Sequence, residues 1–254
     1  MERDFPLEKG HIHPISILID DTVRIFSELG FDAVDGDEVV TEHYNFDVLN
    51  IPADHPARDM QDTFWLKTPR GEERRLPRTH TSSVQVKYME DMKKAGKEPP
   101  FAIIVPGKVF RYEATDATHE TQFHQVEGMM IGKDVSLALM KGILESFFSE
   151  ILGGNLKVRF RPSFFPFTEP SVEVDVSCFK CSGNGCSVCK RTGWIEVMGA
   201  GMVHPQVLRN GGVDPEKWQG FAFGGGIDRL AMLKWGIEDV RLLYNGDLRV
   251  VNQF

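Results

Sequence analysis

No stretch of this 254-residue chain approaches the roughly 18 consecutive apolar residues that a membrane span requires. Its opening residues, MERDFPLEKGHIHP, lack the apolar centre of a secretory signal. A membrane role is therefore not expected, and the cytoplasm is the expected location. Low-complexity linkers and repeats at solenoid spacing are also missing. Cysteine is scarce: the four residues all fall between positions 178 and 189, which excludes a disulfide-dense scaffold. Basic charge is in deficit, with 29 Lys+Arg against 37 Asp+Glu and a net charge of −8. Proteins that grip nucleic acid by charge alone are normally basic. Any nucleic-acid contact here must be local, or a partner must supply the charge.

What is present is the composition of an ordinary folded protein, 41% hydrophobic and 26% charged, which argues against disorder. The length allows one large domain or two small ones. Residues 14–29, PISILIDDTVRIFSEL, predict an amphipathic helix with Ile15, Leu18, Ile19, Thr22, Phe26 and Leu29 on one face and Gly30 as its stop. A second helix is predicted from Asp134, as N-cap, to Leu152. Its stripe is Leu139, Met140, Ile143, Leu144, Phe147 and Ile151, and Gly153-Gly154 ends it. PFAIIVPGKVFRYEA and QFHQVEGMMIG predict strands, as do KVRFRP, SVEVDVS, WIEVMG and GFAFG. A last helix is predicted from Ile227 to Trp235. Helices mixed with strands without a βαβ rhythm indicate an α+β fold, a mostly antiparallel sheet flanked by helices.

Four segments carry polar residues in suggestive places. In VFRYEATDATHETQFHQVEG, alternate strand residues share a face. Arg111 and Glu113 then point together, as do Phe123, Gln125 and Glu127 on a strand returning through a loop at residues 114–121. An arginine, two carboxylates and an amide on one face suit a polar ligand. In GFAFGGGIDRLAML, a strand enters the run Gly224 to Gly226, and a helix follows with Arg229 in its first turn. Glycine permits close backbone approach, and helix N-termini favour anions. FFPFTEPSVEVDV sets Phe165 and Phe167 beside Glu169, and in RTHTSSVQVKYM, His80 and Ser82 share a face if extended. Taken singly, each has an ordinary explanation: surface charge pairs, a tight turn, core packing of phenylalanine, a structural histidine.

Together, an FRxE strand, a loop with later His and Phe, and a GxGxxR entering a helix resemble motifs 2 and 3 of the class II aminoacyl-tRNA synthetases. The stretches NFDVLNIPADHPARDMQDTF, RTHTSSVQVKYM, FRYEATDATHETQFHQVEG, FFPFTEPSVEVDV, GAGMVHPQVL and GFAFGGGIDRLAML occur in the order found in the catalytic alpha subunits of bacterial phenylalanyl-tRNA synthetases. The resemblance spans about residues 10 to 254 and implies one class II catalytic domain over residues 1–254. It implies formation of phenylalanyl-adenylate from ATP and L-phenylalanine, transfer to tRNA(Phe), Mg²⁺ as cofactor, and a beta subunit in an (alpha-beta)2 heterotetramer. By the motif match, Arg111 contacts the α-phosphate and Arg229 the γ-phosphate. Glu113, Gly224 and Gly226 belong to the ATP site, and Glu169 shares in binding Mg²⁺. His80, Ser82, Gln125 and Glu127 are assigned to the polar end of phenylalanine, Phe165 and Phe167 to its ring edge-on, and Ala222 to the far end of the ring pocket.

The chain departs from the family pattern in three places. Asp37 in VDGDEVV stands where motif 1 usually has proline. Gln61, between Met60 and Asp62, replaces a frequent aromatic. The family's N-terminal coiled-coil arm, which contacts tRNA, does not precede the catalytic region, so a truncated form or an arm-less variant is expected. The chain alone is accordingly expected to charge tRNA poorly. Two rivals are a non-charging synthetase paralogue and an RNA-binding module on a synthetase scaffold. The presence of both motif arginines and the whole phenylalanine pocket disfavours the first; the cysteine module is what would support the second.

Cys178-x2-Cys181-x4-Cys186-x2-Cys189 is the spacing of two metal knuckles, whose four thiolates suit tetrahedral Zn²⁺. CFKCSGNG matches the CxxCxGxG repeat of chaperone zinc modules, whereas the second copy, CSVCKRTG, has Arg191 in place of a glycine. Disulfides are the alternative and are disfavoured in the cytosol. A structural zinc insertion at residues 178–193 is expected, with its coordination shell closed by the four cysteines.

Overall fold

The computed structural model describes residues 10–58 and 63–254; Gln61 lies outside them. The chain opens with helix α1 (Pro14–Glu28), capped by the His13 ring, which accepts from Ile15 N–H, and followed by Gly30 at φ +86°. Strands β1 (Asp32–Ala33) and β2 (Val39–Thr41) lead to the short helix α2 (Glu42–Asn45). Strand β3 (Arg75–Pro77) and helix α3 (Ser82–Lys94) come next. The long hairpin β4 (Phe101–Phe110) and β5 (Gln122–Gly132) is followed by helix α4 (Leu137–Leu152). Strands β6 (Val158–Phe165), β7 (Thr168–Ser177) and β8 (Trp194–Val203), helix α5 (Pro205–Asn210), strand β9 (Gln219–Gly226) and helix α6 (Ile227–Trp235) follow. A single 3-10 turn (Val240–Leu243) and helix α7 (Leu248–Val251) close the chain.

Seven strands form one sheet in the order β1-β4-β5-β9-β8-β7-β6, antiparallel throughout except for β1 beside β4; β2 and β3 pair separately. The sheet is covered on both faces, so its central strands are apolar in both phases of the strand period. Ala102 and Ile104 of β4 face the core shared with α1, α4 and α6, whereas Phe101, Ile103 and Val105 face the core shared with α3 and α5. In the first core Phe26 of α1 stacks on Phe147 of α4 and Phe223 of β9, with ring centres 4.7 and 5.2 Å apart. Gly128 makes room for that stack, since a Cβ there would lie 2.2 Å from Phe223 Cζ.

The mixed, mostly antiparallel sheet bears out the α+β expectation, and α1, β5 and α6 match their predicted spans within a residue. Other boundaries differ. Ser136, not Asp134, caps α4 by accepting from Leu139 N–H, and Leu139 is 41% exposed rather than part of the buried stripe. The stripe closes instead through Phe148, which is fully buried. The hairpin strands end at Phe110 and Gln122, so Arg111 and Glu113 belong to the connecting loop. Their common direction comes from a tight turn, in which Glu113 N–H donates to Arg111 C=O at 2.9 Å, and not from strand alternation. Ser82 begins α3 and is not extended. The polar run TSSVQ hid the helix from a search for an apolar stripe, although Ser82, Ser83 and Gln85 are all buried.

The run Gly224–Gly226 ends β9 in extended conformation and makes no tight turn. Space is what Gly224 and Gly225 provide: a Cβ on Gly224 would meet Glu127 Cγ at 2.5 Å, and one on Gly225 would meet Val197 C=O at 2.5 Å. Gly225→Ala should therefore destabilise the fold by about 1–3 kcal/mol, because a backbone carbonyl cannot step aside. Gly226→Ala, whose nearest contact is 3.8 Å away, should leave the urea midpoint unchanged. Equal midpoints for the two variants would show that the glycine run does not pack as described.

Candidate active site

Strand β5 presents Phe123, Gln125 and Glu127 on one face, continuous with Met129 and Ile131 in the α3 core. Glu127 is 7% exposed and points at the N-terminus of α3. It accepts from Thr81 N–H at 3.1 Å and Gln85 Nε2 at 3.3 Å, and it forms a short bond with the Ser82 hydroxyl. Burial raises the carboxyl's pKa; the Ser82 and Thr81 donors, with Arg111 and Arg78, oppose that rise. The helix N-terminus supplies further positive potential.

His80 sits in the turn before α3, a turn held by reciprocal side-chain bonds between Asn45 and Thr79 at 2.9 and 3.2 Å. Both ring nitrogens of His80 and the amide oxygen of Gln125 are buried, and none makes a hydrogen bond of normal length and angle among the described residues, although the Asn45 backbone lies close enough to the His80 ring to oppose the fall in its pKa. Unsatisfied buried polar atoms are rare in folded proteins. Three in one place suit a polar ligand. Burial first, and then the nearby Arg111 charge, push the His80 ring down to about 3, so at neutral pH it is an uncharged donor and acceptor.

Two cavities, each of about 570 Å³, meet at these residues. The first is lined by the hairpin loop (Arg111, Glu113, His119, Glu120), by Phe123, and by Gly226, Arg229 and Met232 at the start of α6. The second runs from His80, Ser82, Gln125, Glu127 and Gly224 to an apolar end at Phe165, Phe167, Ala200, Val203 and Ala222. Arg111, Gln125 and Arg229 line both. Arg111 donates from Nε to Thr79 C=O at 3.2 Å and lies 5.1 Å from the centre of the Phe123 ring, while Arg229 donates from Nε to Glu196 C=O at 3.0 Å. Phe165 and Phe167 stack on each other at 5.7 Å and 11°. Gly199 gives Phe165 its place, since a Cβ there would lie 2.9 Å from Phe165 Cζ.

Of the residues assigned to the site in the sequence analysis, all of them among the described residues, Glu169 and the four cysteines line neither cavity. Glu169 is 74% exposed, with its carboxylate 3.4 Å from His204 Nε2. Two carboxylates not singled out, Glu173 on β7 and Glu196 on β8, do line the second cavity beside Arg229. The strand alternation in SVEVDV and WIEV carried that signal; in the fold Arg161 of β6 pairs with both. Asp228, adjacent to Arg229, is buried; it accepts from His124 N–H at 2.7 Å and from the Tyr244 hydroxyl, and so fixes the start of α6 to β5. Asp37 is exposed and pairs with Lys87 at 3.0 Å.

The four cysteine sulfurs lie within 4.8 Å of one another. The Cys178–Cys186, Cys186–Cys189 and Cys181–Cys189 separations are 3.7, 3.8 and 3.9 Å. A tetrahedron of sulfurs about 2.3 Å from a central metal has edges of about 3.8 Å. Backbone N–H groups of Gly185, Cys186 and Gly193 point at Cys181 and Cys189 sulfurs at 3.1–3.3 Å, as donors to thiolates do. The group is able to hold a metal ion.

A carboxylate-lined cleft, two arginines at the junction of two cavities and a seven-stranded, largely antiparallel sheet define a class of protein. Residues 3–254 match the family model of the tRNA synthetases class II core domain (F), and the chain belongs to that family. Among known structures, the pyrrolysyl-tRNA synthetase of Desulfitobacterium hafniense superposes with a TM-score of 0.70 over 95% of this chain and 76% of its own, at 14% identity, a likeness of fold alone. Within the class the sequence lies with one group. It is 53% identical to the phenylalanine–tRNA ligase alpha subunits of Caldanaerobacter subterraneus and Limosilactobacillus reuteri, and 52% identical to that of Bacillus subtilis, in each case over 98% of this chain and 70% of the relative.

A ring that resists protonation stabilises the fold at pH above its unfolded value of 6.5, and that contribution is lost as the pH falls towards about 3. The His80 imidazole should remain neutral at pH 5 when followed by ¹⁵N NMR of the ring nitrogens. Titration near 6.5 would place the ring in water rather than in this cavity.

Proposed function

We propose that the chain is the catalytic alpha subunit of a phenylalanine–tRNA ligase, working in the cytoplasm with a beta subunit in an (alpha-beta)2 heterotetramer. It activates L-phenylalanine with ATP and passes the phenylalanyl group to tRNA(Phe). The observation that carries the reading is the meeting of a polar and an apolar-ended cavity at Arg111, Gln125 and Arg229. One phenylalanine carboxylate oxygen attacks the α-phosphorus, the bond to the bridging oxygen breaks, and pyrophosphate leaves. The nucleophile is already an anion, so no general base is needed. The protein's task is to align two anions and offset their charge.

In this reading Arg111 takes the α-phosphate and Arg229 the γ-phosphate, while Glu113, Gly224 and Gly226 position the nucleotide. The substrate ammonium and carboxylate satisfy the idle atoms of His80 and Gln125, with Ser82 and Glu127 beside them. Glu127, anchored on three donors, holds its place as the ammonium arrives. Phe165 and Phe167 flank the phenyl ring and Ala222 closes its far end. Mg²⁺ draws charge from the phosphates when bound. Glu173 and Glu196 in the cavity would be the carboxylates to hold it, joined by the exposed Glu169 where a beta subunit covers that surface. Residues 1–254 act as one catalytic domain, within which residues 178–193 form a zinc knuckle. Four thiolates close the coordination shell, so the metal's role there is structural.

The test is phenylalanine-dependent ATP–pyrophosphate exchange by the complex with its beta partner. Exchange should be present, and Arg111→Ala should lower kcat by about 10²-fold or more. Ala222→Gly should deepen the pocket and admit para-chlorophenylalanine, with little change in KM for ATP. No exchange with phenylalanine would defeat the reading, and unaltered rejection of the para-substituted substrate would remove Ala222 from the ring end.

Elemental analysis of a reduced, fresh preparation should find about one zinc per chain, lost in Cys178→Ser because metal binding and local folding are coupled. A metal-free preparation with four titratable thiols would exclude the knuckle.

A further inference from the structure

The cysteine segment is not a remote appendage. Cys178 and Cys189 are 0% and 3% exposed and belong to the core beneath α6, and Phe179, Cys181 and Cys186 pack against it. The segment is closed on itself by backbone bonds: Cys178 N–H to Gly193 C=O at 2.8 Å, Gly183 N–H to Cys178 C=O at 3.1 Å, and Arg191 N–H to Cys186 C=O at 2.8 Å. Each Cys-x-x-Cys turn presents the residue just before its second cysteine to the same place. Lys180 precedes Cys181, Val188 precedes Cys189, and both line the first cavity, which also holds Arg111, Glu113, Gly226 and Arg229 of the proposed ATP site.

The opposite wall is α6 and the residue that ends it. Arg229, Met232, Leu233 and Gly236 follow one another at helical spacing along the cavity. Arg229 stands at the junction with the phenylalanine cavity. Gly236 is seven residues further on, about 10 Å along the axis, and a Cβ on it would lie 4.0 Å from Lys180 Nζ. A nucleotide whose α-phosphate sits at the junction and that fills the first cavity therefore reaches Lys180 and Val188 of the knuckle, two exposed side chains on its wall.

We infer that the metal-bound knuckle forms a functional wall of the nucleotide site. Lys180 donates to an acceptor at the end of the nucleotide remote from the α-phosphate, and Val188 closes the cavity around it. The metal holds both by fixing the sulfur of the residue next to each. Occupancy of the cysteine site thus sets affinity for ATP while leaving the phenylalanine cavity, which the knuckle does not line, unchanged. The plain structural alternative is that Lys180 only stabilises the C-terminus of α6 through the helix dipole. That role predicts a change in unfolding midpoint and none in nucleotide binding.

The inference rests on the first cavity being the ATP site, and the experiment separates the two failures. The complete complex is prepared as wild type, as Lys180→Ala, as Lys180→Arg, and as wild type stripped of its cysteine-bound metal and returned to Mg²⁺. Dissociation constants for ATP, AMP and phenylalanine are measured by equilibrium dialysis, alongside metal content. Lys180→Ala should retain its metal, bind ATP roughly tenfold more weakly, as expected for one lost charged hydrogen bond, and bind phenylalanine as wild type does. Lys180→Arg should recover most of the loss. A parallel loss for AMP is expected, because Arg229 at the junction takes the γ-phosphate and leaves the base and ribose to reach the knuckle; a loss confined to ATP would overturn that placement. The stripped complex should show the same selective loss. An unchanged ATP constant in either Lys180→Ala or the stripped complex overturns the inference, whereas wild type that binds no ATP defeats the underlying assignment instead.

Discussion

A single buried carboxylate organises the site. Glu127 stands in the middle of β5, where its strand partner must be Gly224 because no larger residue leaves it space. An unpaired carboxylate in such a position would take up a proton. Here the N-terminus of α3 meets it with a backbone N–H, a hydroxyl and an amide. That one contact sets where α3 crosses the sheet and where the turn before it points His80. It also fixes how closely β9 approaches β5, and hence where Arg229 enters α6. The carboxylate is at once the tie between helix and sheet and the floor of the cavity.

A second buried charge performs the matching task on the other side of the hairpin. Arg78 is 1% exposed, and its guanidinium donates to the carbonyls of Lys108 and Gly36 at 2.8 and 2.9 Å. Its own backbone bonds to Glu38 and Phe110. It joins the small sheet to β4, and Gly107 is the opening through which it passes, since a Cβ there would overlap its terminal nitrogen. Burying a guanidinium costs too much unless backbone carbonyls replace its water. The loop that follows β4 is therefore held at its base, while its tip, Thr115 to His119, is free to take up local bonds centred on Asp116.

Around these two anchors the polar atoms divide by purpose. Asp228 and Tyr244 satisfy each other and His124, and Asp175 satisfies Arg159 and Arg161; such groups hold strands and helices in place. His80 and Gln125 keep unused hydrogen-bonding capacity in the wall of the second cavity. Each idle buried atom costs about 1–3 kcal/mol, which is consistent with the ligand-binding role proposed for them. The cysteine segment extends the same economy to the cavity's far end, where a few residues too short to make a core of their own can be fixed by a metal.

The amino-acid sequence by itself determined the class of fold, the family, the cysteine tetrad and a set of site residues of which all but Glu169 line the two cavities. These lie in contiguous motifs whose spacing reflects local geometry: two cysteines per turn, alternate residues on β5, an arginine in the first turn of α6. It also exposed the apolar periods of α1 and β5 almost to the residue. Other features depended on chain segments far apart in sequence. Whether Ser82 starts a helix was decided by a carboxylate 45 residues away, and the place of Glu173 and Glu196 beside Arg229 by the order of strands in the sheet. The placing of Lys180 and Val188 on the first cavity was decided by the packing of the knuckle against α6. Periodicity reports which way a side chain leaves its own backbone; what it meets there is set by the long-range pairing of strands and the close packing of helices, and only the folded chain fixes those.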